Sequence, residues 1–164
     1  MSELRTNKIY PRDGLPTGAS GGGIIQVVHN TSTTSLTTSS TSFVATALTA
    51  TITPTSASNK VLVLLNGVYD TDAAGRQIFF ALFRQIGSGS FTNISHPGST
   101  YEIFSAPYNA GGRQIADISL NHLDSPATTS TVTYKLYMKS PSAVDVEFNS
   151  QTTESRITLM EVSG

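Results

Sequence analysis

Residues 131–139 read TVTYKLYMK, and apolar and polar side chains alternate along the whole stretch. The apolar positions are Val132, Tyr134, Leu136 and Met138. The positions between them are Thr133, Lys135, Tyr137 and Lys139. Because successive side chains of a β-strand point to opposite faces of the sheet, this period of two predicts a strand with one buried face and one outward face.

The same alternation recurs elsewhere in the chain and predicts further strands. It is present in Phe43 to Thr53, in Arg113 to Asn121 and in Val144 to Phe148. Ile24 to His29 is predicted as the first strand of the body and Arg156 to Val162 as the last. Residues typical of turns, chiefly Gly, Pro, Ser and Asn, separate these segments, as expected for short strands joined by tight connections.

Three other segments have less regular patterns. Lys60 to Tyr69 contains the run VLVLL, which predicts a central strand that is buried on both faces. Arg76 to Ile86 contains the run IFFALF. A helix over Ala73 to Ile86 is an alternative on length, but the aromatic content favours a strand. Asn30 to Thr41 is almost wholly Ser and Thr, which indicates an edge strand or an ordered loop.

These segments together give about eight short strands, a number typical of all-β sandwiches. The predicted fold is therefore all-β, an antiparallel β-sandwich with a jelly-roll topology. The chain has 164 residues, which is enough for one such core but not for two. We predict a sandwich body over residues 24–164 and an extended arm over residues 1–23.

The predicted arm reads MSELRTNKIYPRDGLPTGASGGG. Its apolar side chains recur neither at strand spacing nor at helix spacing, and its prolines and glycines favour extended or bent backbone. Such a segment cannot bury enough apolar surface to fold alone, so we expect it to attach the body to another protein. The predicted contact residues of the arm are Leu4, Arg5, Lys8, Ile9, Tyr10, Arg12 and Leu15.

Composition excludes several classes of function. Ten Lys and Arg face eleven Asp and Glu, so the chain lacks the basic excess that a nucleic-acid binder usually carries. No apolar run is long enough to cross a membrane, and the first residues lack the apolar core of a secretory signal. The chain has no Cys and therefore no thiolate metal site. Charged residues make up only 13%, and hydroxyl side chains supply most of the polarity.

Residues that could carry chemistry are few and scattered. The histidines are His29, His96 and His122, and none has another ligand at metal-binding spacing. The pair Asp70 and Asp72 could bind a divalent cation, but Asp is also common in turns. Glu102 with Asp117 is a conceivable carboxylate pair for glycoside cleavage. We therefore predict no catalytic residue, no metal site and no cofactor.

Residues 91–112 form the longest stretch without a clear pattern, and this stretch is rich in aromatics. A loop of this length in a compact domain is usually functional or contains a short strand. Aromatic side chains offer a large contact area at low entropic cost, so the loop is a candidate surface for a sugar or for a partner subunit. Its alternative role is to cap the end of the sandwich. The candidate contact residues are Phe91, Tyr101, Phe104 and Tyr108.

Two parts of the sequence resemble known proteins. The first is LRTNKIYPRDG over residues 4–14, followed by GGG over 21–23 and IIQVV over 24–28. The second is the strand at residues 43–52 with the connector TPTSASNK and the run VLV that follows it. The first resembles the opening of virion proteins from marine tailed bacteriophages, especially those that infect cyanobacteria, and the second resembles the tail-fibre and surface-knob domains of the same proteins.

The resemblance implies a structural or adhesive role in the virion, without a cofactor. The chain has neither a collagen-like repeat nor a coiled-coil shaft, so a compact knob, a capsid decoration or a short tail appendage fits better than a long fibre. The expected partners are other virion proteins, contacted through the arm, and further copies of the chain, most simply in a trimer. The alternative is a receptor-binding adhesin that recognises a host surface glycan through the aromatic loop.

Overall fold

The computed structural model describes residues 23–71, 76–95, 104–105 and 112–164. Strands occupy most of these residues, and no α-helix is present among them. The strands are β1 (Ile24–Ser32), β2 (Leu36–Thr38), β3 (Val44–Ile52), β4 (Lys60–Thr71), β5 (Phe79–Ile86), β6 (Thr92–Asn93), β7 (Phe104–Ser105), β8 (Gln114–Asp124), β9 (Val132–Lys139), β10 (Val146–Phe148) and β11 (Ser155–Val162). Residues 1–22, which include nearly all of the predicted arm, lie outside the described residues.

Six strands build the first sheet, but they occupy only four positions across it. β1 pairs with β11, and β2 pairs with β10. Because β1 and β2 follow each other along the chain, as do β10 and β11, each pair acts as one interrupted strand. β4 pairs with β10 and β11 along one edge and with β8 along the other. The order is therefore β1/β2, β10/β11, β4, β8, and all neighbours are antiparallel.

Five strands build the second sheet, again in four positions. β9 lies between β3 and β5, and it is antiparallel to both. The other edge of β5 pairs with β7 at Phe79 and Phe80 and with β6 at Phe83 and Arg84. The short strands β6 and β7 therefore share the last position, and the order is β3, β9, β5, β6/β7.

The strand order defines a jelly roll. Numbered one to eight in chain order, the eight positions run 1-8-3-6 across the first sheet and 2-7-4-5 across the second. Only the fourth and fifth positions are joined as a hairpin within one sheet, and the other connections cross between the sheets. This is the order of the jelly roll, in which antiparallel strands wrap into two facing sheets. The predicted all-β sandwich fold is confirmed.

The inner faces of the two sheets form the core. On β9 the predicted alternation is confirmed, since the four apolar side chains of one face are completely buried. They are Val132, Tyr134, Leu136 and Met138. Phe148 of the first sheet and Phe80 of the second meet edge to face, with ring centroids 5.8 Å apart. Gly67 lies under this pair, where a Cβ would be 2.5 Å from Cε2 of Phe148, so any larger residue would displace the ring.

β4 departs from its prediction in one respect. It is central, as the apolar run predicted, and Val61, Val63 and Leu65 are buried on its inner face. Its outer face is not buried, because Leu62 is half-exposed and Leu64 is 36% exposed. A continuous apolar run does not reveal which face the partner sheet covers. The outer face of the first sheet thus presents apolar side chains to solvent.

The segment from Arg76 to Ile86, for which a helix was the alternative, contains the strand β5. Phe79–Ile86 is extended, so the helical alternative is wrong. The stretch from Phe91 to Gly112 contains the short strands β6 and β7, in agreement with one of the two expectations for a loop of this length. Within the described ranges, no helix has the length and apolar character needed to span a membrane.

Candidate functional site

The described residues include only part of the predicted contact set. All of the arm residues named above lie outside them. So do Tyr101 and Tyr108 of the aromatic loop, and Phe104 is described only as backbone in β7. Phe91 is fully described and half-buried. Its surroundings, on the outer face of the second sheet, form the first candidate surface.

Phe91 belongs to a chain of four aromatic rings. Its ring lies 5.9 Å from that of Tyr137 on β9. Tyr137 stacks on Phe83 of β5 at a centroid distance of 4.0 Å, and Phe83 meets the edge of Phe43 at 5.6 Å. All four side chains are half-buried. Contacts of this kind are worth about 0.5–1.5 kcal/mol per pair beyond simple burial, so the rings form a rigid surface.

Two lysines cover this ring chain. The Nζ atom of Lys139 lies 4.5 Å from the ring centre of Phe43 and 5.7 Å from that of Phe79. The Nζ atom of Lys135 lies 5.2 Å from the ring centre of Phe91. We call Phe43, Phe83, Phe91, Tyr137, Lys135 and Lys139 the aromatic–lysine cluster. It combines apolar contact area with positive charge, which suits a polar or anionic partner.

Part of the aromatic–lysine cluster was predictable from the sequence. The alternation of β9 predicted Lys135, Tyr137 and Lys139 on one outward face, and that placement is confirmed. Phe43 and Phe83 were missed, because they join the cluster only through the pairing of β3 and β5 with β9. Such pairings link residues that are far apart in sequence.

The second candidate surface lies on the outer face of the first sheet. Val27, Met160, Leu62 and Leu123 stand side by side on β1, β11, β4 and β8, in direct cross-strand register. We call these four residues the apolar row. Val27 is 55% exposed and Leu123 is 54% exposed. Ile24 and Ile25 extend the apolar area beyond Val27 to the point where residues 1–22 join the body.

A polar strip borders the apolar row. The next cross-strand positions include His29, Thr158 and Asn121, and the Nδ1 atom of His29 lies 2.9 Å from Oγ1 of Thr158. Together with Asn66 and Arg156 they line a shallow depression of about 340 Å³. An apolar centre with a polar border is the usual composition of a protein contact surface.

Three buried carboxylates lie elsewhere, and each has hydrogen-bond partners. Asp70 accepts two bonds from Nε of Arg113, at 3.2 and 2.9 Å, and one from Nη2 at 2.5 Å. Asp124 accepts from Arg84 and Tyr134, and Glu161 accepts from three residues. Burial and the neighbouring carboxylate of Asp124 raise the pKa of Tyr134. Each of these acids is held by donors from neighbouring strands or loops, and Asp70 also lines a small pocket with Thr37 and Glu147.

The remaining chemical candidates find no supporting geometry within the part of the chain that the structure describes. Among the residues that the structure describes, no three His, Asp or Glu side chains are grouped as metal ligands. Asp70 is bound to an arginine, which disfavours a cation there, and Asp72 lies outside the described residues. His96 and Glu102 also lie outside them, so the structure describes neither all three histidines nor the complete Glu102–Asp117 pair.

The fold and these surfaces define the class of the protein as a jelly-roll β-sandwich whose two outer faces carry apolar and aromatic contact area. Comparison with known proteins adds nothing more specific, since neither a protein-family model nor a curated protein matches the sequence. The resemblance to phage virion proteins therefore remains a prediction.

Proposed function

We propose that this protein is a non-enzymatic structural protein of a tailed-bacteriophage virion. The jelly-roll body would form a capsid knob, a capsid decoration or a short tail appendage. Residues 1–23 would attach it to neighbouring virion proteins, and several copies would form a symmetric assembly, with a trimer favoured. Viral capsid domains are among the known jelly rolls, and this fold analogy supports the proposal.

The observation that carries the proposal is the position of the exposed apolar side chains. Ile24, Ile25 and Val27 are 60%, 45% and 55% exposed, and they directly follow the predicted arm. Contiguous exposed apolar area on a folded protein usually marks a surface for protein contact. The apolar residues at the root of the arm therefore support attachment of the body through this end.

Deletion of residues 2–22 tests the attachment. We expect the shortened protein to fold, because all of the core residues named above belong to the body. We also expect it to be missing from particles assembled in cells that supply it in place of the full chain, as measured by mass spectrometry of purified particles. Circular dichroism of the shortened protein controls for folding. Normal incorporation of a folded, shortened protein would contradict the proposed role of the arm.

The aromatic–lysine cluster favours a second candidate function, an adhesin that binds a host surface glycan. Phe91 was predicted as a contact residue, and it lies in this cluster beside Tyr137 and Lys135. Half-exposed rings next to ammonium groups suit an acidic sugar, because the rings contact the apolar face of the sugar and the lysines its carboxylate or sulfate.

Glycan binding by the full chain tests this candidate. We expect Tyr137→Ala and Phe91→Ala to weaken binding to a glycan array or to host cells about tenfold, as removal of a central aromatic contact usually does. Tyr101→Ala and Tyr108→Ala test the loop in the same assay. Thr51→Ala, on the outer face of the same sheet and away from the rings, is the matched control. If the full chain binds neither glycan nor cell, the adhesin candidate is wrong.

A further inference from the structure

The apolar row forms a continuous apolar band on the outer face of the first sheet, which is unusual for the surface of a monomer. Its four side chains are contiguous, and Ile24 and Val162 lie in register on one side of it and Leu64 on the other. Scattered apolar residues are normal on a protein surface, but a continuous apolar band across a whole sheet normally has a partner. The partner must be apolar itself, since no member of the row has a polar atom other than backbone and the thioether sulfur.

We propose that residues 4–15 pack across the apolar row of their own body in the free protein. This inference goes beyond the proposed function, because it concerns the protein before assembly. It does not require the protein to be part of a virion. In a virion, residues 4–15 would have to leave the apolar row to contact a neighbouring protein, and the apolar row would then become available as a second contact surface.

The length of chain before β1 supports this occupant. The segment enters the body at Gly23, next to the exposed Ile24. The row crosses four strands, so it is about 14 Å long at the usual strand spacing. Residues 16–23 extend to about 26 Å at most, so residues 4–15 reach every part of the row. A tether of this length gives an effective concentration on the order of millimolar, which favours the chain's own segment over one from another copy.

The chemistry of the segment also matches the row. Leu4, Ile9, Tyr10 and Leu15 supply the apolar contacts, and Pro11 and Pro16 favour the extended backbone that such a crossing needs. β1, the edge strand beside the row, contains no Lys, Arg, Asp, Glu or Pro. β1 therefore places no charged side chain beside Val27, and a crossing apolar segment would not have to desolvate a charge there.

Paramagnetic relaxation in the full-length protein tests the proposal, and the absence of native cysteine makes the labelling specific. A nitroxide is attached to Leu123→Cys, at the end of the row farthest from β1. We expect several-fold stronger broadening of the amide signals of residues 4–15 than with the same label on Thr51→Cys, an exposed position of the other sheet. The additional change Met160→Ser, in the middle of the row, should reduce the effect of the Leu123→Cys label.

A mixed sample identifies the chain that supplies the segment. Protein at natural isotope abundance that carries the nitroxide is mixed with isotope-labelled protein that has no nitroxide. Any broadening of the observed signals then arises between two copies of the chain. Broadening only in the single-species sample supports the proposal. Equal broadening from the Leu123 and Thr51 positions overturns it, and so does broadening in the mixed sample, which would show that another copy supplies the segment. These outcomes do not depend on incorporation into particles.

Discussion

Glu161→Ala is expected to lower the free energy of unfolding by about 3 kcal/mol, because it removes a buried charge that several donors share. Glu161 is completely buried at the end of β11. Its Oε1 atom accepts from Nδ2 of Asn59 at 2.5 Å and from the amide and hydroxyl of Thr55 at 2.7 and 2.8 Å. Its Oε2 atom accepts from Nε2 of Gln26 at 2.6 Å. Alanine removes this shared acceptor, and only Gln26 and Asn59 keep another one, at the carbonyl of Thr53 and the hydroxyl of Thr55.

The same carboxylate makes stability depend on pH. Burial alone would raise the pKa of Glu161, but the hydrogen bonds from Asn59, Gln26 and Thr55 outweigh it and lower the pKa from 4.5 to about 2. The unfolded chain therefore binds a proton at higher pH than the folded chain does. The stabilisation from Glu161 is fully present above pH 4.5, and it is lost as the pH falls towards 2.

Urea denaturation at a series of pH values measures both effects. We expect the stability of the wild type to fall between pH 4.5 and pH 2 more steeply than that of Glu161→Gln, which cannot ionise. Glu154→Ala is the matched control, since Glu154 forms an exposed pair with Arg156 and its loss should cost less than about 0.5 kcal/mol. If the stability of the wild type and that of Glu161→Gln fall equally as the pH is lowered, the hydrogen bonds to Glu161 do not lower the pKa of its carboxyl group.

The fold was predictable to the extent that it depends on local patterns. The alternation of β9 predicted each of its buried residues, because a period of two depends only on neighbouring positions. The run from Val61 to Leu65 predicted a central strand correctly but gave the wrong exposure for Leu64. Exposure on that face depends on what covers the sheet, and a strand's own sequence does not contain that information.

The candidate surfaces were less predictable, since both depend on register between distant segments. Phe91 was identified by composition, but its neighbours Tyr137 and Phe83 meet only when β5 and β9 pair. Gln26, Thr55 and Asn59 likewise reach Glu161 across more than one hundred residues in each case. The strand count predicted the jelly roll, whereas these clusters require the actual strand order.

Asp124→Ala is expected to destabilise the protein by about 3–4 kcal/mol, because it removes the buried carboxylate that accepts hydrogen bonds from the other sheet. Asp124 ends β8 in the first sheet, and its carboxylate is buried. It accepts from Nη1 of Arg84 on β5 at 2.8 and 2.9 Å and from the hydroxyl of Tyr134 on β9 at 2.7 Å. Alanine leaves the half-buried guanidinium and the buried phenol without an acceptor.

A double-mutant cycle separates this contact from simple loss of packing. Tyr134→Phe removes only the hydroxyl and should cost about 1–2 kcal/mol, whereas the same change in the Asp124→Ala background should cost much less, since the acceptor is already absent. Asp117→Ala, an exposed position on the same strand, should stay within about 0.5 kcal/mol of the wild type. Additive effects of the two substitutions at 124 and 134 would show that the hydrogen bond across the sheets contributes nothing. Coupling of at least about 1 kcal/mol would show that β8 is held to the second sheet by this polar contact as well as by the apolar core.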